Sequence, residues 1–192
     1  MNTLRILIAD DESLHLMNLR SQLEKLGHRV VAEADDGGAA INLAREFKPD
    51  LAILDIKMPG TDGIDAAQQI VAERPIPIIL LSAFSESTLA ESAAHAHVTE
   101  YLMKPVSEND LLPAITLALA RFGELTEARQ ETASLRESLE TRKLVERAKG
   151  ILMRRLNLTE EEAFRRLQKR SQNENKKLGE IAQAIIVADG MM

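Results

Sequence analysis

Five short runs of Ile, Leu, Val and Ala mark the first 103 residues, near 4–9, 29–34, 51–55, 77–82 and 99–103. Between and after them lie stretches whose apolar residues recur at helical spacing, near 13–26, 37–47, 63–73, 86–96 and from 108 onward. A continuous apolar run of strand length suits a strand buried on both faces, and its alternation with helices predicts an α/β fold with a doubly wound, five-stranded parallel sheet. The punctuation agrees with this reading. Gly27 ends the first helix, Met58-Pro59-Gly60 turns the chain after the third strand, Ser85 precedes the fourth helix, and Ser107 with Asp110 can cap the fifth.

Past residue 108 the pattern changes. Between Ser107 and Val145 only Pro113 and Gly123 could interrupt a helix, and Pro113 falls within its first turns, where proline is tolerated best. Leu125, Ala128, Thr132, Leu135, Leu139 and Arg142 recur at 3–4 spacing, which predicts a long coiled-coil helix pairing two copies of the chain. Residues 142–190 read as a small three-helix all-α module: about Arg142 to Leu156, a second helix opened by a Thr159–Glu162 capping box and ending near Gln172, and about Leu178 to Ala188. Leu144, Val145, Ala148, Ile151 and Leu152 form one apolar face, and Ala163, Phe164 and Leu167 another. The expected division is therefore 1–122, a connector at 123–141, and 142–192.

Charge divides the chain in the same way. Residues 1–122 carry 10 Lys and Arg against 18 Asp and Glu, whereas Thr141–Lys177 holds 12 basic and 5 acidic residues. An acidic front with a basic patch behind it points to a sensor joined to a module that touches polyanions. Lys143, Arg147, Gly150 and Arg154 share one stripe of the first C-terminal helix, Arg166, Lys169 and Arg170 lie along the second, and Lys176 and Lys177 follow. Mid-helix Gly150 costs about 1 kcal/mol relative to alanine, so it is expected to serve close approach, with helix packing favoured over a ligand backbone. There is no cysteine, which excludes disulfides and thiolate metal sites. No apolar stretch approaches a membrane span and the N-terminus has no signal-peptide layout, so a cytoplasmic protein is expected.

Candidate chemistry gathers at the strand ends. Asp10 and Asp11 close the first apolar run, Asp55 the third, Ser82 the fourth, and Lys104 lies just past the fifth. Parallel sheets bind ligands at the carboxyl ends of their strands, where strand order reverses, so these side chains are expected to meet. Clustered carboxylates need a cation, and oxygen-only ligands with open positions suit Mg²⁺, with Asp11 and Asp55 as direct ligands and Asp10 acting through water. Lys104 would balance an anion placed on Asp55. His15 and His28 are expected at the surface, His95 and His97 point to different helix faces, and no Ser/His/Asp set has the setting of a nucleophile elbow.

With the segments Ile6-Leu7-Ile8-Ala9-Asp10-Asp11-Glu12, Leu54-Asp55-Ile56-Lys57-Met58-Pro59-Gly60-Thr61-Asp62-Gly63, Leu81-Ser82-Ala83 and Tyr101-Leu102-Met103-Lys104-Pro105, residues 4–122 resemble the receiver domain of two-component response regulators. The resemblance implies a flavodoxin-like fold, phosphorylation of Asp55 by a sensor histidine kinase, and Mg²⁺ held by Asp10, Asp11, Asp55 and the backbone carbonyl of Lys57. Ser82 and Tyr101 would be switch residues and Lys104 the phosphate-pairing lysine, next to a cis bond to Pro105. Ala148-Lys149-Gly150-Ile151-Leu152-Met153, Leu158-Thr159-Glu160-Glu161-Glu162-Ala163-Phe164 and Lys177-Leu178-Gly179-Glu180-Ile181-Ala182 resemble the ANTAR domain, an RNA-binding output module, over about 122–188. That similarity implies a dimer that binds paired hairpins of a nascent leader transcript and prevents termination. Lys149 joins the stripe lysines and arginines as a candidate RNA contact.

Asn157 stands where glycine is common in that pattern, and asparagine tolerates the left-handed helix end. Phe164, placed on a core face, argues against base stacking, leaving contacts to phosphates and loop bases of folded RNA. A DNA-binding regulator is the main alternative, disfavoured because Leu178–Ala188 offers only Glu180 and Gln183 as polar readers. A phosphorylation-controlled protein-interaction regulator is the third reading, and a metabolic enzyme is not expected.

Overall fold

The computed structural model describes residues 3–83 and 98–190. The fourth expected helix at 86–96, its cap Ser85, and His95 and His97 lie outside the described residues. The chain divides into two units, Met1–Thr126 and Glu127–Met192.

In the first unit, β1 (Arg5–Ala9), β2 (Arg29–Ala34), β3 (Leu51–Asp55), β4 (Ile78–Ser82) and β5 (Glu100–Met103) pair in parallel in the order β2-β1-β3-β4-β5. Alternate residues of the apolar strands serve opposite faces, as the two-residue period requires. Leu7, Ala52, Leu54, Ile78 and Leu80 bury against α2 (Gly37–Phe47) and α3 (Gly63–Glu73). On the other face Ile6, Ile8, Ile53, Ile79 and Leu81 meet Leu19 and Leu23 of α1 (Ser13–Lys25) and Leu111, Ile115 and Ala118 at the start of α4 (Glu108–Leu156). Two cores therefore clamp one sheet, and β1 and β3 flank the point where strand order reverses.

Local chemistry fixes the element ends. Asp36 and Asp62 accept from the backbone N–H groups of Ala39 and Asp65 and cap α2 and α3. Gly27 adopts φ +84° after α1, and the Asp110 carboxylate accepts from both Ser107 N–H and Ser107 Oγ to open α4. Gly63 is required by contact: a Cβ there would overlap the Asp55 carbonyl oxygen, because Gly63 N–H donates to Ile56 O at 3.0 Å and draws the α3 N-terminus against the end of β3. Gly63→Ala is expected to cost about 1–3 kcal/mol, read as a lowered urea midpoint with unchanged slope.

In place of a connector followed by a separate first helix, α4 runs unbroken for 49 residues from Glu108 to Leu156. Neither Pro113 near its start nor Gly123 breaks it. Asn157 then takes φ +52°, and Thr159 and Glu162 form both halves of a capping box that opens α5 (Glu160–Glu174). Asn175, at φ +51°, ends α5 before α6 (Leu178–Gly190). In the second unit Val145, Ala148, Leu167, Ile181 and Ala182 form the core of this three-helix module.

Two expectations about burial are corrected here. His28 is buried, because its backbone N–H donates to Leu23 O and its ring Nδ1 accepts from Leu4 N–H, which tucks the imidazole under the α1–β2 turn. Burial there lowers its pKa below the usual histidine value. Phe164 is 36% exposed rather than in the core, since Ala163 and Leu167 take the inward positions of α5.

Candidate functional site

The ladder hydrogen bonds continue one step past the strands and set the residues that follow them. Asp10 N–H donates to Ala34 O at 3.1 Å, Ile56 N–H to Leu81 O at 3.0 Å, and Lys104 N–H to Ser82 O at 2.8 Å. Asp10, Asp55, Ser82 and Lys104 are thereby brought to one edge of the sheet, as the strand ends predicted. One carboxylate oxygen from each of Asp10, Asp11 and Asp55 lies within 4.8 Å of the others. Asp10 and Asp55 are buried and Asp11 is exposed, so the cluster opens on one side into a pocket of about 470 Å³ that Lys57 also lines.

Lys104 stabilises this concentration of charge. Its Nζ is 2.7 Å from Asp10 Oδ2 and 3.0 Å from Asp55 Oδ2. Burial raises the pKa of Asp55, and the charges of Asp10 and Asp11 push the same way against the pull of Lys104. Burial works against the Lys104 ammonium, yet its hydrogen bonds with Asp10 and Asp55 hold its pKa above the usual lysine value. A divalent cation would relieve the same repulsion, and three convergent oxygen donors with an open side fit a hard ion such as Mg²⁺. Tyr101 is half-buried on β5 against the core that faces α2 and α3, and the Lys104–Pro105 bond is cis.

Two contributors carried no assigned role in the sequence reading. His15 Nδ1 lies 3.2 Å from Asp10 Oδ1 and 3.4 Å from Lys104 Nζ, at the pocket mouth rather than on a remote surface. Gly63, through its contact with the Asp55 carbonyl, holds the acidic strand end in place. Position alone could have flagged His15, which lies one helical turn past the acidic pair.

The nine candidate RNA contacts of the second unit fall into three groups. Lys143, Arg170, Lys176 and Lys177 are exposed and paired with Glu140, Glu174, Glu174 and Glu137. Arg147, Arg154, Arg166 and Lys169 are exposed and have no carboxylate partner among the described residues. Arg166 and Lys169 line an open groove of about 650 Å³ along α5 together with Arg165 and Arg170. Lys149 departs from the surface expectation: its side chain is only 10% exposed, and its Nζ contacts Glu146 at 2.9 Å and Glu160 at 2.6 Å. The reason is tertiary, since α5 returns across the face of α4 on which Lys149 sits. Gly150 has no atom within 4 Å of where a Cβ would stand, so helix packing within the chain does not explain it.

Residues 6–116 match the response regulator receiver domain and residues 133–186 the ANTAR domain. The transcriptional regulatory protein PdtaR of Mycobacterium tuberculosis is 47% identical over 182 residues, covering 95% of this chain and 89% of that protein. Protein PilH of Pseudomonas aeruginosa is 38% identical over 119 residues, 60% of this chain and 98% of its own. Among solved structures, the signal receiver domain of a modulated diguanylate cyclase from Desulfovibrio desulfuricans superposes with a TM-score of 0.59 at 31% identity, covering 64% of this chain and 98% of that one. No helix among the described residues is long and apolar enough to cross a membrane. The matches at both ends of the chain and the near full-length relative agree with the strand-end acidic pocket and the three-helix module: the chain belongs to the response regulators that carry a receiver domain followed by an ANTAR domain.

Proposed function

We propose that this protein is a phosphorylation-controlled transcription antiterminator of the cytoplasm. Asp55 accepts a phosphoryl group from a sensor histidine kinase, with Mg²⁺ held by the Asp10, Asp11 and Asp55 carboxylates and the Lys57 carbonyl. The observation that carries the reading is Lys104 bridging Asp10 and Asp55, because one ammonium contacts two of the three carboxylates and can pair with a new anion on Asp55. A phosphoryl group adds nearly two negative charges, enough to draw Ser82 and Lys104 toward it and to bias Tyr101 and β5 between two arrangements.

On the output side, hairpin RNA of a nascent leader transcript lies against the unpaired cations Arg147, Arg154, Arg166 and Lys169. Cations already neutralised by a carboxylate must break that pair before they meet phosphate, so the unpaired set contributes most. Gly150 lies between Arg147 and Arg154 on one stripe, and its bare backbone lets a phosphate chain approach the helix closely. Residues 1–122, 123–141 and 142–192 then act as receiver, coiled-coil connector and RNA reader.

Titrating a hairpin RNA and a duplex DNA of equal length, with and without acetyl phosphate, tests the reading. Hairpin binding that strengthens on phosphorylation and falls steeply with salt is the expected result. Preference for the duplex would replace it with DNA regulation, and binding to neither would leave protein interaction as the output.

A further inference from the structure

Lys149 sits in the part of the sequence that most resembles a nucleic-acid module, yet its surroundings are unlike those of a ligand contact. The side chain is buried to nine-tenths, and its ammonium is 2.9 Å from Glu146 one turn earlier and 2.6 Å from Glu160. The Phe164 ring centroid lies 5.9 Å from the same nitrogen. Glu160 is the first residue of α5, directly after the Thr159 cap, and Phe164 is one turn further along. A single ammonium thus ties the late turns of α4 to the first turns of α5, across a corner of only Asn157, Leu158 and Thr159.

The corner leaves the angle between the helices to whatever contacts cross it. Apolar packing at Ala148, Ala163 and Leu167 is non-directional and tolerates rotation of one helix over the other. A charged hydrogen-bond pair with a ring over it is directional, and it is lost within about an ångström of slip. Arg147 and Arg154 lie on α4 and Arg166 and Lys169 on α5, so this angle decides whether both sets can reach one rigid ligand.

We propose that Lys149 is a positioning residue: clamped by Glu146 and Glu160 over Phe164, it sets the crossing of α4 and α5 so that their basic faces address one RNA hairpin, without touching RNA itself. The proposal rests on the RNA-binding reading above, and its test keeps the two separable. Both carboxylates are largely exposed, Glu146 at 58% and Glu160 at 69%, so K149M leaves no buried charge unpaired and gives up only solvent-screened pairs; it is expected to keep its melting temperature while losing the angle.

The chain has no cysteine, so E140C with N173C, spin-labelled in the full-length protein, reports the α4–α5 distance directly. In that background K149M is expected to shift or broaden the distance distribution and E160Q to do the same, whereas K149R, which can still meet both carboxylates, restores it. The binding probe is a hairpin RNA selected on the wild-type chain from a random-loop pool. K149M is expected to weaken it about tenfold or more with the salt slope unchanged, and K149M/E160Q to be no worse than K149M alone.

A slope reduced by about 0.7, with the distance unchanged, would put Lys149 on a phosphate and overturn the proposal. If K149M melts early, E160Q decides: a normal distance in E160Q rejects the clamp. If no hairpin is selected the RNA reading fails, while the distance measurement still settles whether Lys149 fixes the corner.

Discussion

Asp55→Asn should leave a folded chain that acetyl phosphate and Mg²⁺ cannot label, where the wild-type chain gains one phosphoryl group. In the proposed reaction a carboxylate oxygen of Asp55 bonds to phosphorus, the bond from phosphorus to the acetate oxygen breaks, and acetate leaves. The amide has nearly the same shape but no anionic oxygen to attack or to bind the metal. Removing the buried charge of Asp55 from a cluster of three carboxylates relieves repulsion, and Lys104 keeps Asp10 as its partner at 2.7 Å, so stability should not fall. Asp11→Ala should also block labelling by weakening divalent binding. Lys104→Ala should permit labelling and uncouple it from RNA affinity, because the proposed role of the ammonium is to follow the phosphoryl group rather than to attack. Intact-mass spectrometry after a timed incubation reads all three, and equal labelling of Asp55→Asn would remove the phospho-acceptor assignment.

What could be read from the sequence, and what could not, divides by the range of the forces involved. Strand positions were legible because a doubly covered strand must be apolar throughout, and Leu51–Asp55 and Ile78–Ser82 are buried at every position. The site was legible for the same reason: a polar residue that closes such a run must sit at the sheet edge. The Thr159 capping box and the Ser107–Asp110 pair act within three residues, and the left-handed turn at Asn157 is local as well.

Residues whose role arises from a distant neighbour were hidden. The composition of α4 gives no hint that Lys149 meets a carboxylate 11 residues on, because that depends on where α5 returns. Gly63 reads only as the start of a helical stretch until the Asp55 carbonyl is seen to fill the space of its missing Cβ. His28 reads as polar and surface-bound, but its burial follows from Leu4 N–H needing an acceptor 24 residues away. The continuity of α4 was missed for the opposite reason. The seam that ends at Arg142 and the apolar face that starts at Leu144 were read as separate helices, although nothing between them breaks a helix.

Phosphorylation should convert the chain to a dimer through α4, and Leu135→Lys with Leu139→Lys should abolish that conversion while leaving Asp55 labelling intact. From Glu127 to Glu140 every described side chain is exposed, including Leu135 at 59% and Leu139 at 58%. Polar residues alone would suffice for a solvated helix, so leucines held open at seam positions imply a surface that is covered in some state. Two such seams meeting in parallel bury Leu135 and Leu139 against their copies, and lysine there sets like charges opposite one another in an apolar contact. A dimer presents two sets of Arg147, Arg154, Arg166 and Lys169, so a transcript with two hairpins binds the second at high effective concentration. Phosphorylated wild-type chain should therefore prefer a two-hairpin RNA over a one-hairpin RNA by about 10²-fold, and the lysine variant by little. Sedimentation of the full chain with and without acetyl phosphate, followed by titration of both RNAs, makes the measurement. A chain that stays monomeric in both states and still binds the two-hairpin RNA tightly would sink the avidity mechanism and leave release of an occluded basic face as the effect of the phosphoryl group.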